Sequence, residues 1–119
     1  MLLTLCLLIV SKNNAVCFAQ ESIQPLAAVN KLYFRALHFY EQKNWKAARE
    51  AFQDHLSVSN HDLLFIPSMY YLAFCYQQLH DVQRSIVLYQ KVIAQANTEE
   101  VFWSQMAQKR MDELSAVDQ

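Results

Sequence analysis

The sequence predicts an all-α protein of about five helices, arranged as two and a half helical hairpins. Three observations carry this expectation. Glycine is absent from the 119 residues and proline occurs twice, which removes Gly-rich phosphate loops, dinucleotide fingerprints and glycine-dependent β-hairpins from consideration. Apolar residues recur at helical spacing along most of the chain. The stretch at 32–56 also returns at 69–93 without a gap, at an offset of 37. With 54% hydrophobic and 18% charged residues, the composition is that of one small globular unit.

The first nineteen residues run apolar from Leu2 to Val10 and end in small residues, with Cys17 and Ala19 three and one positions before a possible cut ahead of Gln20. This pattern reads as a secretory signal peptide, although no Lys or Arg precedes the run and Lys12 interrupts the segment. The nine residues from Leu2 to Val10 fall short of the roughly 17–25 apolar residues a membrane span needs. An exported protein, periplasmic or extracellular, is therefore expected, the alternative being attachment to a membrane through residues 1–19. Removal of that segment leaves Cys75 as the only cysteine and allows no internal disulfide. The remaining domain, 20–119, opens with Ser22 as a plausible cap ahead of Pro25, which tolerates a first helical turn.

Within the repeat, Leu32 falls on Met69, Tyr33 on Tyr70, Ala36 on Ala73, Phe39 on Tyr76, Trp45 on Val82, Ala48 on Ser85, Phe52 on Tyr89 and Leu56 on Ile93. Leu32, Ala36 and Phe39 form one amphipathic arm, and Ala48, Phe52 and Leu56 a second, with the polar break Lys43-Asn44 between them. Each copy, 29–60 and 66–97, is thus a helical hairpin. The small residues Ala36, Ala48, Ala73 and Ser85 sit where two helices approach closely. Phe39, Trp45, Phe52, Tyr76 and Tyr89 fill the space beside them, each large ring burying on the order of 150–250 Å². The connector "SNHDLLFIP" carries enough apolar residues to be expected packed. A third unit, 98–117, has one helix only; Trp103, Met106 and Ala107 repeat Met69, Leu72 and Ala73 at an offset of 34. Arg110 stands where the earlier copies have Phe39 and Tyr76, which suits a polar capping helix with no partner over that face.

This pattern resembles the tetratricopeptide repeat, a helix-turn-helix unit of about 34 residues with small and aromatic residues at fixed offsets. The resemblance covers residues 29–97 as two units and implies a right-handed solenoid. Among its members the chain is similar to short exported bacterial proteins, the coordinator associated with the Tol–Pal system and the outer-membrane assembly lipoproteins, in its signal-like start and its closing "AQKRMDEL". In this family a glycine followed by Asp or Asn makes the hairpin turn. His80 stands in the glycine's place, and Asn44 and Asp81 occupy the N-cap of each second helix.

The stretch "LAFCYQQLHDVQRSIVLYQ" contains Cys75, His80 and Asp81, residue types that build nucleophilic sites. Five residues of helix turn the chain by about 500°, leaving Cys75 and His80 roughly 140° apart, and Cys75 aligns with His38. A packing role follows for Cys75 and no catalytic residue is expected. His38, His55, His61 and His80 form no H-x3-H or C-x2-C pair, so no metal or other cofactor is expected. Ten basic against eleven acidic residues, with no basic cluster beyond Lys109-Arg110, give no field for nucleic acid.

What remains is a surface. The resemblance implies that the first helix of each hairpin lines a concave groove, with Tyr33, Leu37 and Tyr40 from the first copy and Tyr70, Phe74 and Gln77 from the second. The Lys, Asn and Arg with which one variety of the family captures a C-terminal carboxylate are missing from these positions. An apolar or aromatic peptide or helix of a partner protein is the expected ligand. The alternative is a self-associating structural protein whose groove is filled by its own N-terminal segment or by a second copy.

Overall fold

The computed structural model describes residues 25–117. Among them are five α-helices, α1 (Leu26–Glu41), α2 (Trp45–Val58), α3 (Phe65–Gln78), α4 (Val82–Gln95) and α5 (Val101–Val117), and no strand. Helix α1 starts directly after Pro25, whose φ of −59° and ψ of 142° hold the chain extended before the first turn, with no side-chain cap. Ser22 and the signal-like segment lie outside the described residues.

The two hairpin turns are copies of one another in their hydrogen bonds. After α1, the Lys43 N–H donates to the Tyr40 carbonyl at 2.9 Å and the Asn44 N–H to that of Phe39 at 3.0 Å. After α3, the His80 N–H donates to Gln77 at 3.1 Å and the Asp81 N–H to Tyr76 at 2.9 Å. This paired pattern satisfies the last carbonyls of a helix and places the residue after its end in the left-handed region. Lys43 (φ 60°) and His80 (φ 64°) occupy that position. The next residue then caps the following helix: Asn44 accepts from the Ala47 N–H and Asp81 from the Arg84 N–H, each at 3.3 Å. Three residues thus close one helix and open the next. A left-handed conformation strains a side-chain-bearing residue and suits glycine. Lys43→Gly and His80→Gly are each expected to stabilise the fold by about 0.5–1 kcal/mol, net of the entropy glycine adds to the unfolded chain. Urea unfolding of each variant against the parent measures this.

The connector between hairpins differs from the sequence expectation. Asp62 accepts the Leu64 N–H at 3.0 Å, and His61 takes a φ of 56°. That turn sends Leu64 to Ile66 inward and leaves Leu63 at its tip, 82% exposed. The connector is therefore packed in part: Asn60, His61 and Leu63 are exposed, Ser59 and Asp62 half-buried, and the chain turns inward from Leu64. Pro67 lies in the first turn of α3, where its missing N–H removes no intrahelical bond. A capping box, with Asn97 accepting from Glu99 N–H at 2.9 Å and donating its own N–H to Glu100 at 3.2 Å, sets a single 3-10 turn, Thr98–Glu100, before α5.

Each helix packs on the next in sequence, and α3 also meets α1 and α5. One part of the core joins α1, α2 and α3 around Ala36, Ala48 and Phe52; the other joins α3, α4 and α5 around Ala73, Tyr89 and Ala107. Ala36, Ala48, Ala73 and Ala107 are fully buried. Of the positions read as repeat core, Ala36, Ala48, Phe52, Ala73, Tyr76, Ser85 and Tyr89 are buried, while Phe39 and Trp45 are half-buried. Among the described residues, no helix is long and apolar enough to cross a membrane.

Candidate functional site

The last turn of α1 presents Tyr40, the first residue of α2 is Trp45, and α3 brings Phe74 between them. Their ring centroids lie 5.4 Å (Tyr40 to Trp45), 5.6 Å (Trp45 to Phe74) and 5.7 Å (Tyr40 to Phe74) apart, edge-on or tilted. These are the spacings and angles at which the quadrupoles of aromatic rings attract. Behind them Tyr71 closes to 4.7 Å from Tyr40. The three rings floor a hollow of about 490 Å³ whose rim is Glu41, Lys43 and Gln78. Both hairpins contribute to it, and the strained Lys43 stands on its edge.

Burial pushes the Tyr40 phenol up to about 12, with the neighbouring Tyr70 adding to the shift and Arg110 opposing it. It therefore offers a neutral hydroxyl at any physiological pH. Arg110 reaches from α5 to 5.0 Å from the Phe74 ring centroid. Its Nε donates to the Tyr70 hydroxyl at 3.2 Å, and a terminal nitrogen donates to Glu113 at 3.0 Å. Those bonds, that to Tyr70 first, raise its pKa further, so it is a fixed cation behind the aromatic floor. The sequence reading that no element covers Arg110 is corrected: it is half-buried and braces the second hairpin's first helix.

The predicted groove residues separate into two sets. Tyr40 and Phe74 form the floor just described. Leu37 is half-buried against the first part of the core, and Gln77 is half-buried, its side chain accepting from the Tyr89 hydroxyl at 2.7 Å. Tyr33 and Tyr70, expected on the wall, are only 6% and 4% exposed and belong to the core instead. Tyr33 is enclosed by Phe52, His55 and Tyr71, and Tyr70 by Tyr71, Tyr89 and Trp103. Sequence reasoning missed Trp45 and Arg110. A tryptophan aligned with Val82 was a size mismatch, and a cation aligned with Phe39 and Tyr76 a polarity mismatch. Both mark places where the repeat departs from packing.

A second hollow, about 320 Å³, opens between α3 and α4 over Leu72, Tyr76, Val87 and Leu88. Its lining comes from one hairpin alone, and beside the Tyr76 hydroxyl its polar side chains are Gln83 and Arg84. The first hollow, with rings and polar groups converging from two hairpins, better fits the usual make-up of a binding site.

Cys75, His80 and Asp81 are not assembled for catalysis. Cys75 is fully buried, and burial pushes its thiol up to about 12, only partly offset by Arg49, so almost no thiolate exists at neutral pH. His80 is exposed in the turn, and the Asp81 carboxylate is bound to the Arg84 backbone and side chain. Among the described residues, no three His, Cys, Asp or Glu side chains are grouped so as to hold a metal ion. Comparison of the chain with protein-family models, with curated proteins and with solved structures returns no match.

Proposed function

We propose that the chain is a non-catalytic interaction module of the tetratricopeptide kind, which holds an apolar or aromatic segment of a partner protein on the floor formed by Tyr40, Trp45 and Phe74. The observation behind this reading is the three-ring floor itself, contributed by both hairpins and rimmed by Glu41, Lys43 and Gln78. Aromatic side chains supply large contact area for little lost rotamer freedom, and such residues dominate binding energy at interfaces. The duplicated hairpin turns and the succession of helix contacts support a right-handed solenoid. The role of exported envelope adaptor rests on residues 1–19, outside the described region.

A photo-crosslinking amino acid at Gln78, on the rim, tests the proposal against the same group at Gln90 on the exposed side of α4. A defined partner species should be trapped from Gln78 and not from Gln90, and Trp45→Ala should reduce it at least tenfold with helicity unchanged. Equal trapping at both positions, or indifference to Trp45→Ala, sinks the reading. Self-association draws support from a different surface, where Leu26 (62% exposed), Phe34 (58%) and Leu63 (82%) flank one hollow. Light scattering on a size-exclusion column decides it: a stable dimer that loses its fold on dilution replaces the adaptor reading.

A further inference from the structure

The seam between the two hairpins contains a buried histidine that the binding floor does not use. His55, in the last turn of α2, and Ser68, in the first turn of α3, are both fully buried. Their Nδ1 and Oγ atoms lie 2.9 Å apart. The other ring nitrogen, Nε2, is buried with no hydrogen-bond partner. A neutral imidazole carries one N–H, and the tautomer protonated at Nδ1 donates it to Ser68 and leaves only a bare lone pair at Nε2. That tautomer leaves no N–H unpaired, only the one acceptor at Nε2.

We propose that His55 and Ser68 form an acid-sensitive latch between the hairpins, closed while the imidazole is neutral and opened when it takes up a proton. Protonation at Nε2 creates an N–H that points at no acceptor and a charge in a site sealed from water, both strongly disfavoured. The surroundings offer little compensation. From α1, Tyr33 presents its ring, 5.5 Å away between centroids and tilted by 62°. From α3 the polar neighbour is Ser68, which does not titrate. From the connector Asp62 is the nearby carboxylate, and it is already engaged by the Leu64 N–H and the Ser59 hydroxyl. On α2 itself, Asp54 is exposed. Burial accordingly holds the imidazole below its ordinary value of 6.5, with Asp62 opposing only in part.

The sign follows from linkage. A histidine whose folded pKa lies below its unfolded value binds its proton more readily when released, so the closed seam is fully favoured above about pH 6.5 and loses stability as the pH falls below it. Because α2 on α3 is the main contact between hairpins, beside a smaller one of α1 on α3, the first structure lost is the seam. The helices within α3, α4 and α5 stay packed.

Amide hydrogen exchange on the full chain at pH 7.5 and pH 5.0, corrected for the intrinsic exchange rates, tests this. Protection at Ser59, Ser68 and Met69 should fall at least tenfold on acidification while α4 keeps its own. His55→Gln, neutral at both values and able to reach Ser68, should abolish the difference; joint replacement of the exposed His38, His61 and His80 by asparagine should preserve it. If His55→Gln does not fold, the imidazole resonance of the parent protein decides: His55 should titrate below the ordinary histidine value of 6.5. Seam protection independent of pH, an equal loss in all helices, retention of the effect in His55→Gln, or a His55 titration at or above 6.5 overturns the latch.

Discussion

Replacing Phe52 with alanine is expected to cost the fold about 3–5 kcal/mol, the range for a large buried aromatic removed from a packed core. Phe52 is fully buried and joins three helices at once. From α2 it stacks on Tyr71 of α3, centroids 5.6 Å apart and planes 16° from parallel, and meets the edges of Tyr33 and Tyr40 of α1 at 6.0 and 6.4 Å. The surrounding rings are stiff and cannot collapse into the space left behind. The loss is a large part of the roughly 5–15 kcal/mol that holds a domain of this kind. A urea midpoint lowered by at least about 1 M, given a slope of roughly 1–3 kcal/mol per M, is the expected reading. Phe52→Leu, which keeps most of the volume, should lose less than half as much. An unchanged midpoint in Phe52→Ala would show that the two hairpins do not depend on this stack.

Ending the chain after Asn97 is expected to abolish cooperative folding. The half-repeat formed by α5 covers the second hairpin: Ala107 is buried, and Trp103, Met106, Met111 and Leu114 pack beside it against Tyr70, Tyr89 and Val92. Burial of a large apolar side chain contributes about 1.5–3 kcal/mol when complete, and these four are partly exposed, so the loss is on the order of 5 kcal/mol. Arg110 goes too, leaving the Tyr70 hydroxyl without its donor. Two hairpins then remain where repeat arrays ordinarily need about three units. Circular dichroism should show a loss of helical signal beyond the share of the deleted helix, and a broad thermal transition. A sharp transition at the parent temperature would assign α5 a role other than closure.

The helices were legible because their chemistry is local. An absence of glycine, a 3.6-residue period and the echo at offset 37 place five helices, and Asn44 and Asp81 stand where a cap must. The left-handed turn at His80 was also readable, because His80 stands where the resembled repeat has a glycine. Which rings face outward was not. Phe34 and Tyr71 occupy the same slot of the repeat, yet Phe34 is 58% exposed while Tyr71 contacts Tyr33, Tyr40, Phe52, Tyr70 and Trp103. The difference is neighbours: α3 has a hairpin before it and a helix after it, and α1, among the described residues, has no helix preceding it. Periodicity assigns a face; only the assembled helices decide whether that face is covered. Tyr33 and Tyr70 were misplaced on a groove wall for that reason. Arg110 was misread because an arginine's length lets it reach sideways to Tyr70 and Phe74 rather than stand where a phenylalanine would.

The unequal ends of the helix series give the fold a direction of growth. The outer side of α5 exposes Gln105, Gln108, Lys109, Asp112 and Glu113 beyond Val101 and Phe102 at its start, whereas α1 exposes Leu26 and Phe34 beside Leu63 at the tip of the connector between α2 and α3. A hairpin laid against α1 would find the apolar side chains of Leu26 and Phe34 to cover. One grafted behind α5 would first need those polar positions repainted.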